Sequence, residues 1–234
     1  MIKELNMIKN DESSLKEVIK KYNLKPKKKL GQNFLHDKNI ISSIIKKAKV
    51  ENENIIEIGP GPGILTEKIL KEKAKSLLVI EKDQSFESNL KKIKNDYQEN
   101  FNYLIHDVLD FDFNQLTNND FKIISNLPYN ISVPFILKMV KNQKIIPWKE
   151  MILMVQKEVA ERILAKIGTK TYGRLSLMVN LKNNVTKILD VKPSSFIPRP
   201  KVDSTVIKIT PNPKYTLVDD EIFEKIVKIC FSQR

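Results

Sequence analysis

The sequence predicts an α/β fold in which helices cover both faces of a mostly parallel sheet. Two observations predict it: short apolar strands alternate with amphipathic helices over residues 55–164, and a glycine-rich turn joins the first of these strands to its helix. A chain of 234 residues can build one complete hydrophobic core. We therefore expect one main domain with a small appendage.

Hydrophobic periodicity predicts each element of that fold. Short apolar runs bounded by turn residues are predicted strands, and segments with apolar residues three and four positions apart are predicted helices. In chain order these are helix 39–50, strand 55–58, helix 64–71, strand 76–80, helix 84–93, strand 101–105, strand 121–125, helix 133–140, strand 151–155 and helix 157–164.

The pattern changes towards the end of the chain. Residues 175–181 fit a helix or a strand, and two strands, 186–189 and 204–209, lie on either side of the proline-rich segment 192–201. Strands arranged in this way predict a hairpin that closes one edge of the sheet. Residues 217–234 have the spacing of a further helix. None of the predicted elements is left to pack against its apolar face.

The chain is strongly basic. Its 41 Lys and Arg against 28 Asp and Glu give a net charge of +13, and residues 1–50 contribute +8 of it, from 13 Lys minus 5 acidic residues. Such a patch suits a polyanion, of which nucleic acid is the commonest. An AT-rich genome also raises the Lys and Asn content, so charge alone leaves both explanations open.

Cysteine, histidine and hydropathy limit the other classes of protein. Cys230 is the only cysteine, so no internal disulfide can form, and His36 and His106 are too isolated to suggest a metal site. No apolar stretch reaches the length of a membrane-spanning helix. These features predict a cytoplasmic protein that uses neither a metal nor a membrane.

The glycine-rich turn, residues 57–63, occupies the place of a nucleotide-binding turn in a doubly wound fold. Gly59 and Gly61 match the first two glycines of the dinucleotide fingerprint, but Ile64 stands where the third would be. The two prolines of the turn lack the N–H groups that a pyrophosphate would use. The turn therefore favours a ligand without phosphates.

Acidic residues follow the next two strands. Glu81 lies 22 residues after Gly59, where a carboxylate can accept both hydroxyls of a ribose. Asp107 can accept from an adenine amine, with Val108 beside it as an apolar wall. Each acid alone could be a solvated carboxylate at a strand end. Taken in order, the set predicts a site for an adenosine without phosphates, for which S-adenosylmethionine is the natural candidate.

The tetrapeptide Asn126-Leu127-Pro128-Tyr129 ends the strand at 121–125. The Asn126 side-chain oxygen and the Leu127 carbonyl can accept the two N–H donors of an exocyclic amine on a flat base. Pro128 fixes the turn, and Tyr129 offers a stacking face. An ordinary strand-ending turn has the same composition, so the tetrapeptide alone leaves both interpretations open.

Six blocks of the sequence together resemble one family, the bacterial small-subunit ribosomal RNA adenine N6,N6-dimethyltransferases. The resemblance spans about residues 25–234. The blocks are residues 29–35 (KLGQNFL), 57–61 (EIGPG), 126–132 (NLPYNIS), 156–159 (QKEV), 172–176 (YGRLS) and 196–204 (FIPRPKVDS).

The resemblance implies a Rossmann-like S-adenosylmethionine-dependent methyltransferase fold, with a mostly parallel seven-stranded sheet and a terminal antiparallel hairpin. It divides the chain into a mobile leader (1–24), a methyltransferase catalytic domain (25–213) and the beginning of a truncated C-terminal helical domain (214–234). The leader is rich in Lys, Glu and Asn, and we expect it to carry no chemistry.

The resemblance also implies a set of residues that bind the cofactor, S-adenosylmethionine. Within this set, Asn33 and Leu35 would line its methionine and sugar side, and Gly59 would approach its carboxypropyl part. The ribose and the adenine would be bound by Glu81 and Asp107. The full implied set is Asn33, Leu35, Gly59, Gly61, Glu81, Asp107, Val108 and Asn126.

Catalytic and RNA-binding residues are implied in the same way. The implied catalytic residues are Asn126, Leu127, Pro128, Tyr129 and Phe196. Tyr129 and Phe196 would sandwich a flipped adenine, although Phe196 fits a core residue of the hairpin as well. Phosphate contacts are implied for Lys27, Lys28, Lys29, Arg174, Arg199 and Lys201, which otherwise form a solvated basic surface.

The implied activity is transfer of methyl groups from S-adenosylmethionine to N6 of two adjacent adenosines in the 3′-terminal hairpin of 16S ribosomal RNA. The enzyme would act during ribosome biogenesis, as a monomer, on the 30S particle or its precursor. Two alternatives remain at this point: a large-subunit adenine methyltransferase of the macrolide-resistance type, and an RNA-binding assembly factor that does not depend on catalysis. Ile64 disfavours a nicotinamide-linked dehydrogenase.

Overall fold

The computed structural model describes residues 26–116, 120–143, 145–212 and 219–231. The predicted leader lies outside these ranges, as do residues 213–218, where the predicted catalytic domain gives way to the C-terminal one. The division of the chain into domains therefore stays a prediction.

Within the described residues the chain forms nine strands and seven α-helices. The strands are β1 (Phe34–Leu35), β2 (Asn54–Ile58), β3 (Ser76–Glu81), β4 (Phe101–Ile105), β5 (Phe121–Asn126), β6 (Trp148–Gln156), β7 (Asn183–Val191), β8 (Phe196–Ile197) and β9 (Ser204–Pro211). The helices are α1 (Lys38–Ala48), α2 (Ile64–Lys71), α3 (Glu87–Tyr97), α4 (Ser132–Lys141), α5 (Lys157–Ile163), α6 (Arg174–Asn180) and α7 (Asp220–Cys230).

The prediction of an α/β fold is confirmed. Each helix and strand expected between residues 39 and 164 is present, with its ends moved by four residues or fewer. Residues 175–181, which fitted a helix or a strand, form helix α6 as far as Asn180, and Leu181 caps its C-terminus. The predicted edge hairpin consists of β7 and β9, both longer than the apolar runs that indicated them.

Seven strands form one sheet in the order β4-β3-β2-β5-β6-β9-β7. The strands from β4 to β6 are parallel to one another, and β9 is antiparallel to both of its neighbours. From β2 the chain moves outward to β3 and β4, and it then returns to β5 on the other side of β2. Loops at such a switch point leave in opposite directions and open a crevice beyond the carboxyl ends of the strands.

Two hydrophobic clusters fill the spaces between the sheet and its helices. Helices α1, α2 and α3 pack on one face, where Ile69 and Leu90 are fully buried. Helices α4, α5 and α6 pack on the other, where Phe135 and Val179 are fully buried. Both faces of the sheet are therefore covered, as expected for parallel strands. None of the helices in the described ranges is long and apolar enough to cross a membrane.

A second, two-stranded sheet was not predicted. Strand β1 pairs antiparallel with β8, so that Phe34 lies opposite Ile197 and Leu35 opposite Phe196. The backbone N–H of His36 extends this pairing by donating to the Ser195 carbonyl at 3.0 Å. Two residues are too few to show the alternation that reveals a strand. The pairing fastens the chain preceding α1 to the loop that joins β7 and β9.

Helix α7 is fastened to α4 and α6 through one acidic residue. The Glu224 carboxylate accepts from Lys141 Nζ at 2.6 Å and from Arg174 Nη2 at 2.8 Å. Val227 is buried, whereas the three isoleucines of this helix are more than half exposed. The apolar face predicted for the end of the chain is therefore largely exposed within the described part of the helix.

A lysine in the middle of the sheet closes the C-terminus of α1. Lys122, in β5, donates from Nζ to the carbonyls of Ala48 and Lys49 at 2.9 and 3.0 Å, and it pairs with Glu53 at 3.2 Å. The last carbonyls of a helix have no partner within the helix. Lys122 supplies that partner from a buried position and so joins α1 to the central strand.

We expect Lys122→Ala to lower the free energy of unfolding by about 2 kcal/mol, because it leaves two carbonyls without their donor and removes one of the two lysines that pair with Glu53. Lys149→Ala is the matched control, since Lys149 contacts the same Glu53 at 3.5 Å from a side chain that is 46% exposed. Its expected cost is below about 1 kcal/mol. Urea denaturation of the two variants measures the difference, and equal losses would contradict the capping role.

Candidate active site

A cavity opens at the carboxyl edge of the sheet, at the switch point between β2 and β5. Seven of the eight predicted cofactor residues line it: Asn33, Gly59, Gly61, Glu81, Asp107, Val108 and Asn126. The four residues of the predicted amine clamp line it as well: Asn126, Leu127, Pro128 and Tyr129.

Two glycines shape the floor of this cavity because other atoms approach them closely. Gly59 has φ +63°, and a Cβ there would lie 3.3 Å from the Pro128 ring. Gly61 has φ +53°, and its Cβ would lie 3.0 Å from the Phe34 ring. Both φ values belong to the left-handed region, which side chains disfavour. Glycine at both positions therefore lets the turn after β2 pass under the neighbouring loops.

Glu81, at the end of β3, is held by two backbone donors. Its Oε2 accepts from the Gly61 N–H at 3.1 Å, and its Oε1 accepts from the Asp83 N–H at 2.8 Å. Burial raises the pKa of Glu81, and these hydrogen bonds oppose the rise. Each carboxylate oxygen has two lone pairs, so both can accept another donor from a ligand. The carboxylate is thus oriented in advance for a pair of hydroxyls.

Asp107 follows β4 and remains ionised. Its Oδ1 accepts from the Leu109 N–H at 2.9 Å, and its Oδ2 forms an ion pair with Lys82. Burial alone would raise the pKa of Asp107. Two hydrogen bonds, one from Lys82 and one from the Leu109 N–H, outweigh the effect of burial and lower the pKa. Beside it Val108 is buried. A carboxylate next to an apolar wall suits the amine edge of an adenine.

The side-chain amide of Asn126 has one defined orientation. Its Nδ2 donates to the Asn33 carbonyl at 2.8 Å. A carbonyl only accepts hydrogen bonds, so the nitrogen of the amide must face it, and Oδ1 is left as the acceptor at the other end. Asn33 itself is held by a hydrogen bond of 3.1 Å from its own Nδ2 to the Gly31 carbonyl. The segment before β1 therefore orients the amide at the end of β5.

Tyr129 is held through its side-chain hydroxyl and through its backbone carbonyl. Its hydroxyl shares a hydrogen bond of 2.7 Å with Ser204 Oγ at the start of β9. Its carbonyl accepts from Ser132 Oγ at 3.0 Å, in the first turn of α4. Burial raises the pKa of the Tyr129 hydroxyl, so this group stays neutral at physiological pH. A ring held in this way at the edge of the cavity is a preformed stacking surface.

The family model for ribosomal RNA adenine dimethylase matches residues 23–234 of this chain. The chain belongs to this family. The family recognised from the six sequence blocks is therefore confirmed.

Curated proteins named ribosomal RNA small subunit methyltransferase A are similar to this chain over most of its length. The chain is 41% identical over 213 residues to the ribosomal RNA small subunit methyltransferase A of Pelagibacter ubique. The aligned residues cover 90% of this chain and 80% of that protein. Over 227 residues it is 42% identical to the protein of the same name from Alkaliphilus oremlandii, covering 94% and 78%.

Solved structures of similar proteins share the fold. A dimethyladenosine transferase from Plasmodium falciparum has a TM-score of 0.76 and 34% identity, covering 86% of this chain and 71% of that one. The 23S rRNA methyltransferase ErmE has a TM-score of 0.69 over 86% of this chain and 79% of its own, and its 24% identity makes this a likeness of fold alone. These similarities confirm the predicted Rossmann-like methyltransferase fold.

Two residues that the dimethylase family implied for the site lie behind it instead. Phe196 is 1% exposed and Leu35 is 5% exposed, and both belong to the cluster beneath α1, α2 and α3. Their backbones pair with each other across β1 and β8, which turns both side chains into the core. The prediction that Phe196 offers an open face to a base is therefore wrong for this structure, and the Leu35 side chain does not line the cavity.

The predicted phosphate contacts divide into a group of exposed cations and a group in ion pairs. Lys29, Arg199 and Lys201 are exposed. Lys27 instead forms an ion pair of 2.6 Å with Asp83, and Arg174 forms one with Glu224. The Lys28 side chain lies outside what the structure describes. Ion pairs with an exposed partner are weak, so Lys27 and Arg174 would have to exchange these acids for phosphate before contacting RNA.

Sequence analysis missed the acid that organises the loop above the cavity. Asp83 is buried, and its carboxylate accepts from Lys27 Nζ, Gln32 Nε2 and Ser85 at 2.6 to 3.0 Å. Burial alone would raise the pKa of Asp83, but these donors lower it to about 2. The signal was weak: Asp83 lies two residues after Glu81, where turns commonly carry an aspartate.

A second buried acid lies beneath the glycine-rich turn. Glu57, in β2, is 2% exposed, and its Oε2 accepts from Thr66 Oγ1 at 2.7 Å. Burial raises the pKa of Glu57 to about 8; the Thr66 hydrogen bond opposes the rise, and the nearby Glu81 charge adds to it. Glu57 is therefore mainly protonated at neutral pH and acts as an uncharged link between β2 and α2.

The raised pKa of Glu57 predicts how stability depends on pH. Between the ordinary pKa of 4.5 and the folded value of about 8, the folded protein keeps a proton that the unfolded chain releases. Its stability must therefore fall as the pH rises, with a slope of up to about 1.4 kcal/mol per pH unit from this group.

We expect Glu57→Gln, which cannot ionise, to flatten this decline. Urea denaturation at pH 5, 6.5 and 8 measures it, with Glu51→Gln as the control because Glu51 is an exposed acid. A Glu57→Gln variant that keeps the wild-type slope would show that Glu57 is already ionised in the folded protein.

Proposed function

We propose that this chain transfers methyl groups from S-adenosylmethionine to N6 of two adjacent adenosines in the 3′-terminal hairpin of 16S ribosomal RNA, giving N6,N6-dimethyladenosine. It would act as a cytoplasmic monomer on the 30S particle or its precursor. Membership of the dimethylase family supports the reaction, and the names of the curated relatives support the small subunit. The observation that carries the proposal is the fixed amide of Asn126 in a cavity that Glu81 and Asp107 also line.

The residues present fit the proposed cofactor. Glu81 offers a preoriented carboxylate for the ribose, and Asp107 with Val108 offers an acceptor and a wall for the adenine. The turn at Gly59 places main-chain atoms at the cavity floor. Its two prolines lack the N–H groups with which such turns bind phosphates. When bound, S-adenosylmethionine supplies a methyl group already activated on a sulfonium.

The clamp residues would act on the target amine. The nitrogen lone pair of an adenine amine is delocalised into the ring, which makes it a poor nucleophile. Asn126 Oδ1 and the Leu127 carbonyl would each accept one N–H, favouring the tetrahedral nitrogen that attack requires. Tyr129 would stack on the base after it leaves its helix. Alignment by these groups supplies the rate, and the proton leaves to water.

The same clamp is compatible with two successive transfers. After the first transfer the nitrogen retains one N–H, which still needs one acceptor. Asn126 Oδ1 can keep this contact while the new methyl group turns away from it. Exposed cations near the cavity, Lys29, Arg199 and Lys201, would bind phosphates and orient the RNA without reading its sequence.

We expect Asn126→Ala to lower kcat by about 100- to 1000-fold, as the loss of one preoriented polar group in an active site does. The dissociation constant for S-adenosylmethionine should change little, because Glu81 and Asp107 are intact. Asn102→Ala, at the exposed start of β4, is the control and should keep wild-type kcat. Wild-type turnover by Asn126→Ala would refute the assigned role.

The proposed substrate is tested with unmethylated small subunits and large-subunit RNA, offered in parallel with labelled S-adenosylmethionine. Digestion to nucleosides should give N6,N6-dimethyladenosine from the small subunit alone. Label in the large-subunit RNA would indicate an enzyme of the macrolide-resistance type. Tight RNA binding without label would indicate an assembly factor that does not depend on catalysis.

A further inference from the structure

The loop of residues 27–33, which precedes β1, forms one wall of the cavity and bridges its two halves. At one end it is bound to the turn after β3, and at the other it contacts the loop after β5. It contains few apolar groups of its own, so polar contacts must hold it in place. Those contacts converge on Asp83.

Asp83 and the loop form a closed set of hydrogen bonds. Gln32 Nε2 donates to Asp83 Oδ2 at 2.9 Å, and Gln32 Oε1 accepts from the Lys27 N–H at 2.7 Å. Lys27 Nζ returns to Asp83 Oδ1 at 2.6 Å. The carboxylate side chain is 1% exposed, whereas that of Lys27 is 52% exposed. The buried part of the attachment is therefore the bond between Asp83 and Gln32.

Apolar packing reinforces the same attachment. The ring of Phe34 meets Phe86 edge to face, with centroids 5.6 Å apart. Phe86 lies in the short 3-10 turn, Gln84–Phe86, whose first residues Asp83 caps. Polar and apolar contacts thus bind the chain around Gln32 to one turn.

The other side of the loop reaches the amine clamp. The Asn33 carbonyl, in the residue after Gln32, accepts from Asn126 Nδ2. Gly31 lies so close to this region that a Cβ there would be 2.9 Å from Asn130 Oδ1 and 3.3 Å from the Tyr129 backbone nitrogen. A small displacement of the loop would therefore move the group that orients the Asn126 amide.

The backbone of Asp83 also joins this chain of contacts to the predicted ribose site, because its N–H donates to Glu81 Oε1 at 2.8 Å. A continuous route then runs from Glu81 through Asp83 and Gln32 to the Asn33 carbonyl and Asn126. Substituting the Asp83 side chain cuts the route at Gln32 and leaves the backbone contact to Glu81 in place.

We propose that Asp83 is a positioning residue for methyl transfer: by holding Gln32, it sets the Asn33 carbonyl that orients Asn126 toward the target amine. This inference rests on the proposed function, because it concerns the same clamp. Asp83 itself touches neither reacting group. Its effect should therefore fall on kcat, with binding of S-adenosylmethionine preserved.

The test compares Asp83→Asn, Gln32→Ala, their double variant and Ser85→Ala in the full chain. Asp83→Asn keeps the shape but has one acceptor oxygen instead of two. The three donors at the Oδ1 position, from Lys27 and Ser85, favour the oxygen there, which places the new NH₂ against the NH₂ of Gln32 and breaks the link. We expect kcat on small subunits to fall about 10- to 100-fold, the size of effect that an Ångström-scale misplacement has. The dissociation constant for S-adenosylmethionine should stay within about threefold of wild type.

The kcat of the double variant distinguishes a loss of positioning from a general loss of structure. Asp83→Asn and Gln32→Ala break one link, so the double variant should be no slower than the slower single variant. Ser85→Ala removes a different donor from the same carboxylate and should keep wild-type kcat. Multiplied losses in the double variant, or wild-type kcat in Asp83→Asn, would overturn the inference. Should Asp83→Asn fail to fold, Gln32→Ala cuts the same link from the loop side and decides the question.

Hydrogen exchange gives a readout that does not depend on activity. Amides of residues 27–33 should exchange faster in Asp83→Asn and in Gln32→Ala than in the wild type or in Ser85→Ala. Unchanged exchange would overturn the inference whether or not the enzyme is active. An inactive wild-type chain, by contrast, would defeat the proposed function, and exchange would still report whether Asp83 holds the loop.

Discussion

Parallel strands end at a common edge, and this constraint determines where every part of the site lies. Because β2, β3, β4 and β5 run in one direction, Gly59, Glu81, Asp107 and Asn126 emerge together although 67 residues separate the first from the last. The reversal of strand order between β2 and β5 opens the space that these residues line. The antiparallel pair β9 and β7 only extends the sheet, yet it brings Ser204 to the hydroxyl of Tyr129.

Three polar groups in the sheet are buried and have hydrogen-bond partners. Glu81 is held by backbone donors, Glu57 by the hydroxyl of Thr66, and Lys122 by carbonyls at the end of a helix. Burying such groups without partners would cost more than their hydrogen bonds return. Each one therefore specifies a single arrangement of neighbouring elements. In the cavity this precision matters most at Asn126, because the Asn33 carbonyl accepts from its Nδ2 and leaves Oδ1 to face the ligand.

Sequence patterns predicted the sheet, its helices and the residues at strand ends, because period and strand polarity are local properties of the chain. Features that depend on tertiary contacts could not be predicted from these patterns. The burial of Phe196 depends on its pairing with Leu35, 161 positions earlier in the chain, and strands of two residues carry no pattern. The link between Asp83 and Gln32 likewise joins side chains 51 residues apart. Residue types alone cannot show whether Lys27 pairs with that acid or with a phosphate.

A crystal structure of this chain with bound S-adenosylmethionine tests the central claim most directly: that one edge of the sheet holds the methyl donor and the amine clamp side by side. The account predicts ribose hydroxyls within hydrogen-bond distance of the Glu81 carboxylate, the adenine beside Asp107 and Val108, and the methyl group facing Asn126. A cofactor whose ribose lies away from Glu81, or whose methyl group points away from Asn126, would contradict it.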